Sequence, residues 1–274
     1  GFNHVVIKIV NTGLNPIFFS GIRSFGAIFC IVLWMMIANK KINFDRKGLK
    51  WGLIAGIVFA IEFLCLFVAL DYTTVVRNSI IYYSMPVWLA LLAHFFLPKD
   101  KITSLKLFGL IISFVGMAWA ITSHGETSTK GVLIGDLFAL GGAVGWALII
   151  VIARGTQFSE NSAEMQLLWM VTVSAPILII SSFFFGEPIR NFQTFHIFGI
   201  VFQIVIVASG GFIFWLWLLS IYPASGVASF SFLSPVFGIL FGWLLLNEPI
   251  DSNLIFSAIL VISGIFLVNK PNKN

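Results

Sequence analysis

Residues 51–70, WGLIAGIVFAIEFLCLFVAL, run for twenty positions with one charge, Glu62. About 20 apolar residues of α-helix cross the hydrocarbon core of a bilayer. The rest of the 274-residue chain repeats this pattern. It is 59% hydrophobic and only 10% charged, with a mean hydropathy of +1.01. A soluble domain has roughly a quarter of its residues charged, so most of this chain has lipid as its solvent. Strands with unpaired edges are excluded from lipid, and helices are required.

Ten spans are predicted, at residues 1–12, 16–38, 50–70, 76–97, 104–122, 132–153, 165–185, 197–220, 225–246 and 254–269. The first is only half a span, and its missing N-terminal residues are expected to precede Gly1. Short connections carry the breakers Asn15-Pro16, Pro98-Lys99-Asp100, Gly125, Gly186-Glu187-Pro188, Tyr222-Pro223 and Glu248-Pro249. One set of connections holds Lys40, Lys41, Arg46, Lys47, Lys50, Lys99, Lys101, Lys106, Arg154, Lys270 and Lys273; the opposite set holds Arg77, Lys130 and Arg190. Cytoplasmic loops are enriched in Lys and Arg, so the richer side is expected in the cytoplasm, with both termini there. The net charge of +5 is accounted for by this bias rather than by nucleic-acid binding. Cys30 and Cys65 lie inside apolar runs, without metal-ligand spacing.

The second half resembles the first. Leu70-Asp71-Tyr72-Thr73, Tyr83-Ser84-Met85-Pro86 and Leu97-Pro98-Lys99-Asp100 are matched in order by Ser220-Ile221-Tyr222-Pro223, Leu233-Ser234-Pro235-Val236 and Leu246-Asn247-Glu248-Pro249. Five spans per half is odd, so two such halves cross the membrane in opposite senses, the plan of many transporters. The predicted fold is an all-α integral membrane protein: two inverted five-helix repeats over residues 1–122 and 132–270.

The stretch Ala69-Leu70-Asp71-Tyr72-Thr73-Thr74 through Tyr83-Ser84-Met85-Pro86-Val87-Trp88 resembles the third-to-fourth helix region of EamA-type proteins, in the drug/metabolite transporter superfamily. So do Gly1 to Lys8, Arg23, Gly135-Asp136-Leu137 with Trp146, and Leu246-Asn247-Glu248-Pro249. Pro98-Lys99-Asp100 departs from the Gly-Glu-Arg-like turn usual there. The resemblance covers essentially the whole chain and implies a ten-helix carrier, often an exporter of amino acids or other small metabolites, in a bacterial inner membrane.

Ionisable residues inside a membrane are costly and mark candidate sites. At about 1.5 Å per residue, Lys8 lies roughly 6–9 Å, Arg23 roughly 10 Å and Glu62 roughly 12 Å below the outer surface. Glu62 is expected to neutralise one of these cations, as a substrate contact, as a proton-coupling carboxylate or simply as a packing pair; Arg23 leans to the structural role. The fourth and ninth spans supply a candidate cavity wall. Asn78 and Tyr82 share one helical face, with Tyr83 beside it. Ser229, Ser231 and Ser234 stand opposite, and Pro86 and Pro235 are expected to break the two helices near mid-membrane. Asn3, Gln203, Trp88 and Trp146 complete the set of substrate-pathway candidates. Gly52/Gly56, Gly141/Gly145 and Gly238/Gly242 mark expected close helix seams.

Metalloprotease, serine-hydrolase and Walker-type phosphate-loop motifs are absent from the sequence. No catalytic residue, metal or cofactor is expected. The predicted partners are a small-molecule substrate, membrane lipids and a coupling proton or other ion, with no nucleic acid. The rival reading is a membrane protein that binds or translocates lipid, or a scaffold, without small-solute transport.

Overall fold

The computed structural model describes residues 1–44, 46–96, 102–122, 130–221 and 233–269. Among the described residues the regular structure is helical, apart from one isolated bridge between Leu14 and Ile189. The helices are α1 (Phe2–Asn11), α2 (Pro16–Ile37), α3 (Arg46–Tyr72), α4 (Val75–Tyr82), α5 (Met85–Phe96), α6 (Ser104–Thr122), α7 (Lys130–Gly155), α8 (Ala163–Ser182), α9 (Thr194–Val201), α10 (Phe212–Ile221), α11 (Leu233–Leu246) and α12 (Ser252–Asn269). Among the described residues, eight stretches are long and apolar enough to cross a membrane; α4 with α5 form one of them, and residues 194–215 form another. Helix α11 is a shorter apolar helix.

The surface is inverted relative to a soluble protein. Phe29, Ile180, Phe184 and Phe198 are exposed, whereas Ser20, Arg23, Glu62, Asn78, Ser79, Asp136 and Gln203 are buried. Apolar side chains turned outward and polar ones turned inward are what a lipid solvent selects, and the chain is an integral membrane protein.

Local chemistry fixes where helices begin. Asn15 caps α2 by accepting from the amides of Ile17 (2.9 Å) and Phe18 (3.3 Å), and Pro16 fills the first turn, where no amide is needed. Thr74 caps α4 and Ser162 caps α8 in the same way. The loops after α1 and α8 are tied together, with the Asn15 amide donating to the Pro188 carbonyl at 2.9 Å and the Arg190 amide to Gly13 at 3.0 Å.

Two spans depart from the sequence expectation. The fourth breaks at Tyr83-Ser84, ahead of Pro86, which is the second residue of α5. There its missing amide costs no hydrogen bond, and the Ile81 carbonyl is taken by the amide and hydroxyl of Ser84 (3.2 and 2.5 Å). Pro235 likewise stands third in α11. Pro86 therefore sits in a first turn and does not interrupt a helix from within. The eighth span is not uniform: between α9 and α10, Phe202–Gly211 winds as a π-helix. Its Ser209 hydroxyl bonds the Ile204 carbonyl at 2.7 Å, and Gly210-Gly211 follow with no side chains to stiffen the turn.

Packing follows the small-residue seams. Helix α3 runs antiparallel to α7, with Gly145 against Glu62 and Gly141 against Cys65, and parallel to α8, with Gly52 against Trp169 and Gly56 against Val173. Helix α4 crosses α11 where Gly238 meets Ser79 and Gly242 meets Val76. Helix α6 lies along α12 through Gly109, Gly116 and Gly264, and α2 along α8 through Gly21. The three glycine pairs expected as seams all lie at helix contacts. A β-carbon at Gly238 would collide with the Ser79 side chain. Gly238→Val is therefore expected to lower the thermal unfolding temperature of the detergent-purified protein, with overpacking costs of about 1–3 kcal/mol. Gly210→Ala, where the nearest atom lies at an ordinary 3.4 Å, should shift it far less.

Candidate functional site

One cavity of about 920 Å³ lies between α1, α2, α3, α4, α7, α8, the π-helical stretch and α10. Its inner part is lined by Asn3, His4, Arg23, Glu62, Tyr82 and Trp146. From there it runs to Arg154 at the end of α7 and to Ser159, Asn161 and Ser162 in the connection between α7 and α8. At about 1.5 Å per residue, Glu62 lies about 15 Å from the Tyr72 end of α3, well inside the bundle.

The inner wall is a polar and aromatic cluster. The Tyr82 hydroxyl donates to Glu62 Oε1, and the Tyr82 ring stacks on Trp146 at 5.4 Å. The Asn78 amide donates to His4 Nδ1 at 3.0 Å, so a neutral His4 keeps its proton on Nε2. His4 in turn stacks flat on Tyr83, with ring centroids 4.8 Å apart. The Gln203 amide donates to the Asn3 side chain at 2.6 Å. Nearer the mouth, Gln166 donates to the carbonyls of Phe158 and Asn161, both at 3.1 Å. Arg23 is 1% exposed and sits over the Phe63 ring at 4.2 Å.

The opposite end is closed by ion pairs. Glu248, following α11, accepts from the amides of Val75 and Val76, both at 2.8 Å, and so occupies the positive N-terminus of α4. Lys8 lies 3.8 Å from the same carboxylate and donates to the Thr73 carbonyl. Arg77 makes a fork on Asp136, donates to the Ala120 carbonyl, and thereby joins α4, α6 and α7. The Thr73 hydroxyl completes Asp136 at 2.8 Å. Arg190 bridges the loop after α8 to Asp71 at 2.7 and 2.9 Å. That bond raises the Arg190 pKa further above its already high ordinary value.

The structure brings together Asn3, Glu62, Tyr82, Tyr83 and Trp146 on the cavity wall. Asn78 and Gln203 stand one layer behind, bonded to His4 and Asn3. Lys8 belongs to the closed end, not to the cavity. The expected neutralisation of Lys8 or Arg23 by Glu62 does not occur as an ion pair: Lys8 pairs with Glu248, and Glu62 accepts from Tyr82. Trp88 packs edge-on against Phe114 at 5.0 Å, away from the lining. Ser234 and Pro235 do not line the cavity either, and Ser229 and Ser231 lie outside the described residues. Helices α2 and α8 also supply lining residues, Arg23, Gln166 and Met170. His4, Glu248, Asp71 and Asp136 were not singled out by sequence reasoning. For the acids, the available signal was their place at helix ends opposite a surplus of buried cations.

The chain is thus an integral membrane protein with a polar internal cavity and an ion-paired end. The EamA-like transporter family model matches residues 1–122 and again 133–270, and the chain belongs to this family. It is 25% identical to the uncharacterized transporter YoaV of Bacillus subtilis, over 97% of this chain and 91% of that protein. It is 29% identical to the uncharacterized transporter YvbV of the same organism, over 100% and 88%. A probable amino-acid metabolite efflux pump of Escherichia coli is 24% identical over 97% and 90%. One solved crystal structure superposes with a TM-score of 0.67 at 15% identity, covering 97% of this chain and 96% of its own, and so shares the fold.

Removing one partner of a buried pair strands the other charge, at about 3–5 kcal/mol. Asp136→Ala is therefore expected to destabilise the purified protein strongly in thermal unfolding. Asp71→Ala, which releases a half-exposed pair, should cost at most about 1 kcal/mol.

Proposed function

We propose that this protein is a secondary transporter that exports small metabolites, amino acids among them, by alternating access. The observation that carries this reading is the one-sided cavity: a polar, aromatic chamber that reaches the α7–α8 connection and is sealed at the other end by Lys8–Glu248, Arg77–Asp136 and Arg190–Asp71. A carrier caught open to one side has this shape. The reverse state requires those pairs to separate while the connection near Arg154 closes.

The ten-span, inverted-repeat plan supports the mechanism. The family model matches residues 1–122 and 133–270 separately, which supports a two-repeat reading. Helix contacts also map onto one another when each span is exchanged with the one five later: α3 with α7 corresponds to α1 with α9, and α4–α5 with α7 to α1 with α11. Both halves contribute lining residues to the cavity, and rocking one against the other exposes it alternately. The Lys and Arg bias supports a cytoplasmic open end with the termini on the same side, and a bacterial inner membrane is the proposed setting. The E. coli relative's name supports amino acids as the first solutes to test. The Glu62–Tyr82 pair, inside the chamber, is the proposed coupling site for a proton.

The test is counterflow in proteoliposomes loaded with a panel of unlabelled amino acids. Exchange of at least one solute, lost in Trp146→Ala, is expected; a blank across the panel with well-folded protein overturns the amino-acid reading. Glu62→Gln should retain exchange but lose accumulation driven by a pH gradient. Normal pH-driven accumulation by that variant would remove the coupling role. On a background with Cys30 and Cys65 changed to Ser, a cysteine at Ala163 should react with a membrane-impermeant maleimide from one side only, whereas a cysteine at Thr73 should stay protected.

A further inference from the structure

Burying a guanidinium away from water is costly unless it is compensated. Lys8 and Arg77, two other buried or half-buried cations of the bundle, each have a carboxylate. Arg23 does not: among the described residues none lies within 4.0 Å of it, and its Nε has no hydrogen-bond partner. Its direct contacts are aromatic, with Phe63 at 4.2 Å and Phe67 and Phe212 at 5.8 Å, and Glu62 attracts it only from beyond ion-pair distance. A ring over a guanidinium occupies its face, whereas its five N–H donors lie in its plane and stay available. The residue lines the cavity.

From this we infer that Arg23 is the receptor for a substrate carboxylate, and that the chamber takes monocarboxylates with an apolar or aromatic body. This deepens the transport reading and rests on it for its biological meaning. A planar fork of donors matches a carboxylate in bidentate geometry. The ligand carries a single negative charge because the chamber offers one unpaired guanidinium and, beside it, the Glu62 carboxyl; a second negative charge would meet that carboxyl without a partner. The body is apolar because the walls around this pair are Phe59, Tyr83, Trp146, Phe212 and Trp215, surfaces suited to ring stacking and hydrophobic burial. An α-amino acid satisfies the same rule and gains a second contact, its ammonium facing Glu62.

Calorimetric titration of the purified full-length protein in lipid nanodiscs tests this with matched probes: 3-phenylpropionate against 3-phenylpropanamide, and phenylalanine against phenylalaninamide. The acid of each pair is expected to bind at least about tenfold tighter than its amide, the loss of one charge-assisted hydrogen bond or more. Arg23→Gln should bring the ratio close to one, and Arg23→Lys should keep part of it, because a point charge attracts without the fork. Equal affinities in the unmodified protein, no binding of either acid, or a preference that survives in Arg23→Gln would each overturn the inference. The unmodified comparison stands even where a variant fails to fold. Failure of the transport reading is separable: acid-selective binding without counterflow removes transport and keeps Arg23 as a carboxylate site, whereas counterflow with no acid preference does the reverse.

Discussion

A charge inside hydrocarbon must find its partner within the protein, and this constraint organises one whole end of the molecule. Glu248 is its centre. A single carboxylate takes the two bare amides that open α4 and faces the ammonium of Lys8, so one residue after α11 ties three helices. Arg77 and Asp136 do the same for α4, α6 and α7. Each of these groups would be expensive alone in lipid; together they form a seal whose members hold one another in place. A seal built from ion pairs differs from one built from packed leucines in that water entering from outside can stabilise its separated state.

The same constraint explains the contrast between the two ends of the cavity. At the closed end Lys8, Arg77 and Arg190 each have a carboxylate, whereas in the chamber Arg23 has aromatic rings and Glu62 a tyrosine hydroxyl. Charges compensated by neutral groups keep capacity for a ligand. Packing makes the arrangement possible: with Gly145 against Glu62 and Gly142 against Tyr82, α7 approaches closely enough to set Trp146 beside the pair. Side chains at those glycines would push apart the helices that form the chamber.

Much of the fold was legible in the sequence because lipid imposes one rule along the whole chain: residues 51–70 have no other reading, and Asn15-Pro16 marks a helix start with both of its chemical signals. The glycine pairs were legible for the same reason, since small residues four apart have few other uses in an apolar helix. The proline positions misled. A proline inside an apolar run reads as an interruption, but Pro86 begins a helix after a break set by Ser84, and a chain pattern cannot show which carbonyls are already taken. The π-helical turn at 202–211 was invisible too, because hydropathy does not depend on winding.

The candidate site was legible in its residue types and not in their pairing. Glu62, Tyr82, Tyr83 and Trp146 were recognisable as polar or aromatic groups in lipid, and spacing put some of them on one face. Which cation meets which acid depends on contacts between helices more than a hundred residues apart, as Lys8 with Glu248 and Arg190 with Asp71 show. By itself the sequence determined the solvent of this protein and its helical class, because both follow from local hydropathy. Only the tertiary structure decided that Arg23 was left without a carboxylate and Lys8 was not. Compensation of a buried charge is a property of three-dimensional neighbours, and no stretch of chain encodes it locally.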